Sequence, residues 1–173
     1  MQEKSKGKTG HETDASTQPA SHSKRPSWDQ YFITITQQVA ERSTCLRAKV
    51  GAVIVRDRSI LATGYNGAPA GLPHCIDVGC LIYESRNPYG EIEENCYRTI
   101  HAEINAIAQA ARNGAAIREA DIYVTHTPCI HCMKVLINTG IRRIFYGKEY
   151  KLHTVADLLK YAQVQMVQVP PGR

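Results

Sequence analysis

Apolar and polar positions recur along this chain with two different periods, and each change of period marks an element. From Ser27 onward, Trp28, Tyr31, Phe32, Ile35 and Val39 return at helical spacing. Ser27 followed by Gln30 is a capping-box pattern, so a helix starts at Ser27. Its aromatic stripe reads as core rather than as a platform for stacking bases. Residues 50–55 and 60–65 are β-rich runs joined by the polar turn Arg56-Asp57-Arg58-Ser59, which predicts two strands in a hairpin. Between residues 66 and 99 the periodicity disappears into a loop with many Gly and Pro residues, carrying Cys75, Cys80 and Cys96. A structureless stretch that long inside a compact domain has to be functional or clamped, and the cysteines offer the clamp. A helix over about residues 100–112 stops at Asn113-Gly114. Residues 122–125 form a β-branched strand, and Thr127-Pro128 supplies an N-cap and a first-turn proline for a helix ending near Gly140. A strand at 144–146, a helix at 155–161 and an alternating edge strand at 164–169 follow, before Pro170-Pro171-Gly172 closes the domain. A hairpin followed by α-β-α-β-α-β implies an α/β fold, a mixed sheet with helices on both faces.

Composition narrows the setting. A chain of 173 residues suits one domain with a real core. Hydrophobic residues make up 43%, yet no apolar run approaches the length of a membrane-spanning helix. The N-terminus lacks the apolar segment of a secretory signal, so the expected location is cytoplasmic. There, six cysteines suggest metal ligands before disulfides. Residues 1–26 contain no Val, Leu, Ile, Phe, Tyr or Trp and read as a disordered N-terminal tail ahead of a single domain at 27–173. That tail has five cations against three acids, so the net +5 of the chain leaves a body of only +3. A weakly basic body suits an anionic small molecule and argues against a surface that coats nucleic acid.

The chemistry sits in His101-Ala102-Glu103 and, with Cys129 28 residues after the histidine, in Pro128-Cys129-Ile130-His131-Cys132. One imidazole and two thiolates are three zinc ligands, one short of a closed tetrahedron, and catalytic sites are the ones that leave a position open. Glu103 is the right kind of group to move protons at a water held there. Two residues apart is roughly 200° around a helix, so His101 and Glu103 serve one metal only if it sits over the helix start. Cys129 and Cys132 open the next helix, where the N-terminal field favours thiolates. The pattern therefore predicts two helix starts converging on one metal. A closed structural zinc knuckle is the plainer alternative, disfavoured by the glutamate beside the histidine and the proline before the first cysteine.

The two motifs together resemble the signature of zinc-dependent nucleobase deaminases. RSTCLRAKVGAVIV, GYNGAPAGLPHCIDVGC, CYRTIHAEINAI and YVTHTPCIHC further resemble the deoxycytidylate (dCMP) deaminases, most closely the short bacterial forms that include the deaminase of late competence operons. The resemblance covers about residues 27–150. It implies a cytidine deaminase-like three-layer α/β/α sandwich around a five-stranded mixed sheet, and conversion of dCMP to dUMP for thymidylate synthesis. It makes His101, Cys129 and Cys132 the ligands of a catalytic zinc. Glu103 becomes the proton shuttle, taking the water proton, protonating the ring nitrogen and then delivering a proton to departing ammonia. Asn66 falls where the sugar is contacted, though a turn residue of positive φ is an equal reading. Arg47, Lys49 and Arg98 are candidates for the 5′-phosphate, each with a solvated surface charge as the alternative. Cys45, Cys75, Cys80 and Cys96 are enough for a second, structural zinc, as in some relatives, with His74 a substitute ligand; the alternative is a set of reduced thiols. Relatives are often hexameric, activated by dCTP and inhibited by dTTP with Mg²⁺. The rival readings are a tRNA adenosine deaminase, which shares both motifs, and a catalytically silent nucleotide-binding or DNA-uptake accessory protein, which the presence of Glu103 disfavours. Cytidine deaminases normally place cysteine where His101 stands, and riboflavin-pathway deaminases carry a longer second cysteine motif.

Overall fold

The computed structural model describes residues 25–170, so the proposed tail lies almost wholly outside the described residues. Helix α1 (Trp28–Ala40) leads into the hairpin β1 (Gly51–Arg56) and β2 (Ser59–Tyr65). A short helix α2 (Cys75–Val78) and a second hairpin, β3 (Ile82–Arg86) with β4 (Ile92–Cys96), precede helix α3 (Ala102–Arg112). The chain continues through β5 (Asp121–His126), α4 (Ile130–Asn138), β6 (Arg143–Lys148), a 3-10 turn at Leu152–Val155, α5 (Ala156–Tyr161) and β7 (Gln165–Gln168). The five-stranded sheet runs β2-β1-β5-β6-β7. β1 pairs antiparallel with β2 and β5, while β5, β6 and β7 run parallel, so the sheet is mixed as predicted.

Both faces are covered, which is why the central strands read as continuous apolar runs. On one face Val53, Val55, Tyr123 and Phe145 pack against Phe32 and Ile33 of α1. On the other Ala52, Ile54, Ile122, Val124 and Ile144 meet Ala102, Ala106 and Ala110 of α3 with Met133 and Leu136 of α4. Each fully buried Ile, Leu or Val side chain contributes about 1.5–3 kcal/mol.

Three expectations need correction. The helix starts as predicted, with Ser27 Oγ accepting from the Gln30 N–H at 3.2 Å. Its buried face, however, is Phe32, Ile33, Thr36 and Ala40, and Trp28 and Tyr31 are 41% and 46% exposed. The cause is Gly51, which lies directly against Thr36 O and Ala40. The small residues at 36 and 40 let the helix seat on the strand backbone there and turn part of the aromatic stripe to the rim. Second, the stretch 66–99 is not structureless, since it contains α2 and the β3–β4 hairpin. Periodicity missed that hairpin because Ile82, Tyr83 and Ile92 are exposed and impose no alternation. Its turn is held locally: Asn87 Oδ1 accepts from the N–H groups of Tyr89 and Glu91, both at 3.0 Å, and Gly90 takes φ 85°. Third, α4 is capped by Cys129 and begins at Ile130 rather than behind Thr127. Thr127 is spent elsewhere, its N–H donating to Lys148 O at 2.9 Å and its hydroxyl accepting from the Tyr150 N–H at 3.1 Å.

Helix α3, which carries the histidine and glutamate, is fixed to β2 by a close backbone approach and by two side-chain hydrogen bonds. A Cβ on Gly64 would run into Ala102 O and Ala106 N. Asn105 Nδ2 donates to Tyr65 O at 2.7 Å, and Gln109 Oε1 accepts from the Thr63 N–H at 2.6 Å. Gly64→Ala must therefore push α3 off the sheet. The expected loss is about 1–3 kcal/mol, measured as a fall in Tm of roughly 2–4 °C per kcal/mol. An unchanged Tm would mean that α3 is not seated on this strand. Among the described residues, no helix is long and apolar enough to cross a membrane.

Candidate metal centre and active-site cavity

Two helix starts converge, as the motifs predict. His101 is the N-cap of α3, Cys129 the N-cap of α4, and Cys132 lies in the first turn of α4. His101 Nδ1 is 3.5 Å from Cys129 Sγ and 3.4 Å from Cys132 Sγ. All three donor atoms lie within 4.8 Å of one another. A tetrahedral zinc with bonds of about 2.3 Å to sulfur and 2.0 Å to nitrogen has an S···N edge of about 3.5 Å. The donor set and its spacing thus fit zinc without rearrangement.

The electrostatics agree. The Cys129 thiol is pulled down to about 3 by a hydrogen bond from Cys132 and by His101, although burial opposes this. Cys132 is pushed up by its hydrogen bond to Cys129 and by burial. Without a metal the thiol pair keeps one proton, and a divalent cation displaces it, because zinc takes thiolates. The same contact with Cys129 raises His101. Glu103 lies only 3% exposed in the first turn of α3, and burial raises its carboxyl above the usual range. A carboxyl poised nearer neutrality can both accept and return a proton.

These groups share a cavity of about 680 Å³, within the range of small-molecule sites. Asn66 lies in its wall, buried, and its φ is not positive, so the turn reading fails. Its Oδ1 accepts from the Val50 N–H at 2.8 Å and the Ser43 hydroxyl at 2.6 Å, while Nδ2 donates to Ala48 O at 2.9 Å. Asn66 is therefore first a staple for the loop between α1 and β1, with one amide N–H left over among the described hydrogen bonds. Arg47 also lines the cavity, its guanidinium donating to Glu94 O and Glu94 Oε2 at 3.1 and 3.3 Å. Lys49 does not; it is paired with Glu41 at the surface. Arg98 is also outside the lining, and its buried Nε has no partner among the described residues.

The four remaining cysteines do not all come together. Cys75, Cys80 and Cys96 place their sulfurs within 4.8 Å of one another. Cys45 stands outside that group, although like Cys96 it lines the cavity. His74 does not join it either, its Nδ1 lying 3.1 Å from Thr44 Oγ1. The expected four-cysteine set is thus a set of three, because Cys45 sits on the 43–50 loop that Asn66 holds to the end of β2. Cys75 Sγ and Cys96 Sγ are 3.9 Å apart. Burial raises Cys75, while for Cys96 burial is overcome by backbone groups of Arg98 and Leu81, which bring it to about 7.

Sequence reasoning missed His126, Tyr150 and Lys151, all in the cavity wall. A signal existed: β5 and β6 are parallel, and ligands of α/β sheets collect beyond the carboxyl ends of such strands. Burial, with Lys148 adding to it, lowers His126, so its imidazole is neutral near pH 7.

The family model for the cytidine and deoxycytidylate deaminase zinc-binding region matches residues 26–148. ComE operon protein 2 of Bacillus subtilis is 47% identical over 146 residues, covering 84% of this chain and 72% of that protein. The deoxycytidylate deaminase of Schizosaccharomyces pombe is 38% identical over 150 residues, covering 85% of this chain but only 46% of its own length. Among solved structures, the dCMP deaminase of cyanophage S-TIM5 in complex with dCMP and dUMP superposes with a TM-score of 0.68 at 27% identity, covering 84% of this chain and 99% of that one.

Proposed function

The chain belongs to the cytidine and deoxycytidylate deaminase family, and from that premise we propose that it hydrolyses dCMP to dUMP and ammonia with a catalytic zinc. The observation that carries this reading is a buried acid, Glu103, sharing one cavity with an open three-donor metal centre. His101, Cys129 and Cys132 would hold the zinc. When bound, it supplies the Lewis acidity that makes water a nucleophile at neutral pH. Glu103 would accept one proton from the attacking water and pass it to the pyrimidine ring nitrogen as the water oxygen bonds to the amine-bearing carbon. It would then take the remaining proton of that oxygen and deliver it to the amine as the C–N bond breaks. The product is the corresponding uracil, and ammonia leaves. Asn66 offers its remaining amide N–H to the sugar, and neutral His126 adds a polar wall without competing for the proton. The S-TIM5 enzyme, whose complex holds dCMP and dUMP, supports the substrate. Zinc-dependent formation of dUMP from dCMP is the test.

The trio Cys75, Cys80 and Cys96 supports a second zinc that ties α2 to the end of β4. Fully loaded wild-type protein is then expected to contain about two zinc ions per chain, and Cys80→Ser one fewer. Elemental analysis giving one in both would remove the second site. A homo-oligomer, hexameric as in many relatives, is supported by apolar side chains left exposed on the β3–β4 hairpin and just beyond it, with Ile92 at 61% and Tyr97 at 72%. Regulation by dCTP and by dTTP with Mg²⁺, and a cytoplasmic location, belong to the proposal through the family resemblance.

A further inference from the structure

Two cations line the active-site cavity, and consecutive glutamates of β4 hold one each. Arg47 is paired with Glu94 at 3.3 Å, and these side chains are 40% and 58% exposed. Lys151 Nζ is paired with Glu93 Oε1 at 2.8 Å, with side chains only 33% and 22% exposed. The Arg47 pair also uses the Glu94 backbone carbonyl, which makes it a clamp on the strand. The Lys151 pair is different, for it bridges two separate walls of the cavity through side chains alone.

Lys151 is also held where it stands at a cost. Its backbone is left-handed, φ 45° and ψ 40°, which costs an ordinary L-residue about 1–2 kcal/mol. The strained segment is anchored to the end of β5, where Thr127 binds Lys148 O and the Tyr150 N–H. The Tyr150 ring lies 5.6 Å from Lys151 Nζ, a cation–π contact that further fixes the ammonium. Strain of this kind persists where the surroundings over-determine a position, and such positions gather at ligand sites. Lys151 is the side anchored to the main sheet. The partner, Glu93, comes from a two-stranded hairpin outside the main sheet, a kind of unit with little stability of its own.

We propose that Lys151 binds the 5′-phosphate of the nucleotide and that Glu93 stands in for that phosphate while the cavity is empty. The inference rests on the nucleotide-monophosphate reading above. A phosphate near −2 with three acceptor oxygens is a stronger partner for an ammonium than a carboxylate is. Substrate therefore enters by exchanging one anion for another, and Glu93 is a competitor that sets the affinity. Nucleosides lacking the phosphate cannot make the exchange, so the pair discriminates for the monophosphate.

The consequence is a difference of sign. If the ion pair were only structural, breaking it from either end would have the same effect. With Lys151 as the phosphate ligand, the two ends act in opposite directions. KM for dCMP is to be measured on zinc-loaded wild type, Lys151→Gln, Lys151→Arg and Glu93→Gln. Lys151→Gln is expected to raise KM about 10–100-fold, the equivalent of roughly 1.4–2.8 kcal/mol, and Lys151→Arg to recover most of that. Glu93→Gln is expected to lower KM several-fold. Equal-direction changes at the two positions, or an unchanged KM in Lys151→Gln, would overturn the inference while leaving the deaminase reading intact. A zinc-loaded wild type that produces no dUMP would overturn both.

Discussion

Zinc-loaded Glu103→Gln protein is expected to bind its metal normally and to lose dCMP turnover by about two to four orders of magnitude. The substitution is nearly isosteric, and Glu103 contributes no donor to the three-atom metal set, so zinc content should hold. What is lost is the group proposed above to shuttle protons between water, ring nitrogen and leaving amine. Burial is what tunes it: the carboxyl is 3% exposed and its pKa lies above the ordinary value. That upward shift carries a stability consequence. An acid with a raised folded-state pKa costs nothing below its unfolded pKa; its penalty builds as pH rises from the unfolded value toward the folded one and is complete above it. Metal-free Glu103→Gln should therefore melt above metal-free wild type at neutral pH, with the gap closing in acid. Thermal melts of the two proteins across that range check the sign. Full turnover in the glutamine variant would contradict the assigned role.

The second large effect is expected from Cys132→Ser, which should lose both the catalytic zinc and all measurable turnover. Cys132 is 1% exposed in the first turn of α4, and its sulfur lies 3.4 Å from His101 Nδ1. A serine hydroxyl is harder and does not ionise near neutrality, so it cannot replace a thiolate ligand. Cys129 and His101 alone leave a two-donor fragment. Any stabilisation that zinc confers on the native state by mass action disappears with it. Elemental analysis should find one zinc fewer per chain than wild type, and added zinc should no longer raise Tm through this site. Retention of stoichiometric zinc with turnover would move the metal to another set of ligands.

The convergence of His101, Glu103, Cys129 and Cys132 was legible because its signal is local. A histidine and a glutamate at a helix start, and two cysteines at the next, state both residue type and direction. The central strands were legible for a related reason, since two covered faces leave unbroken runs such as Val53-Ile54-Val55. What the sequence hid depends on distance. Rotation of α1 was decided by Gly51, far along the chain from Trp28 and Tyr31. The β3–β4 hairpin buries too little to print a pattern. Cys45 looked equivalent to the other three spare cysteines until Asn66 was seen to hold its loop elsewhere. Lys151 follows an ordinary Lys-Glu-Tyr run, and only the parallel pairing of β5 with β6 brings it to the cavity.

The most direct test follows uracil-nucleotide and ammonia release from dCMP by purified protein, before chelation, after removal of metal, and after zinc is restored. An anticodon stem-loop bearing adenosine runs in parallel. Equal amounts of dUMP and ammonia, lost on chelation and regained with zinc, with no release from the stem-loop, are the predicted result. Ammonia from the stem-loop alone, or none from dCMP with the zinc sites full, would contradict the account.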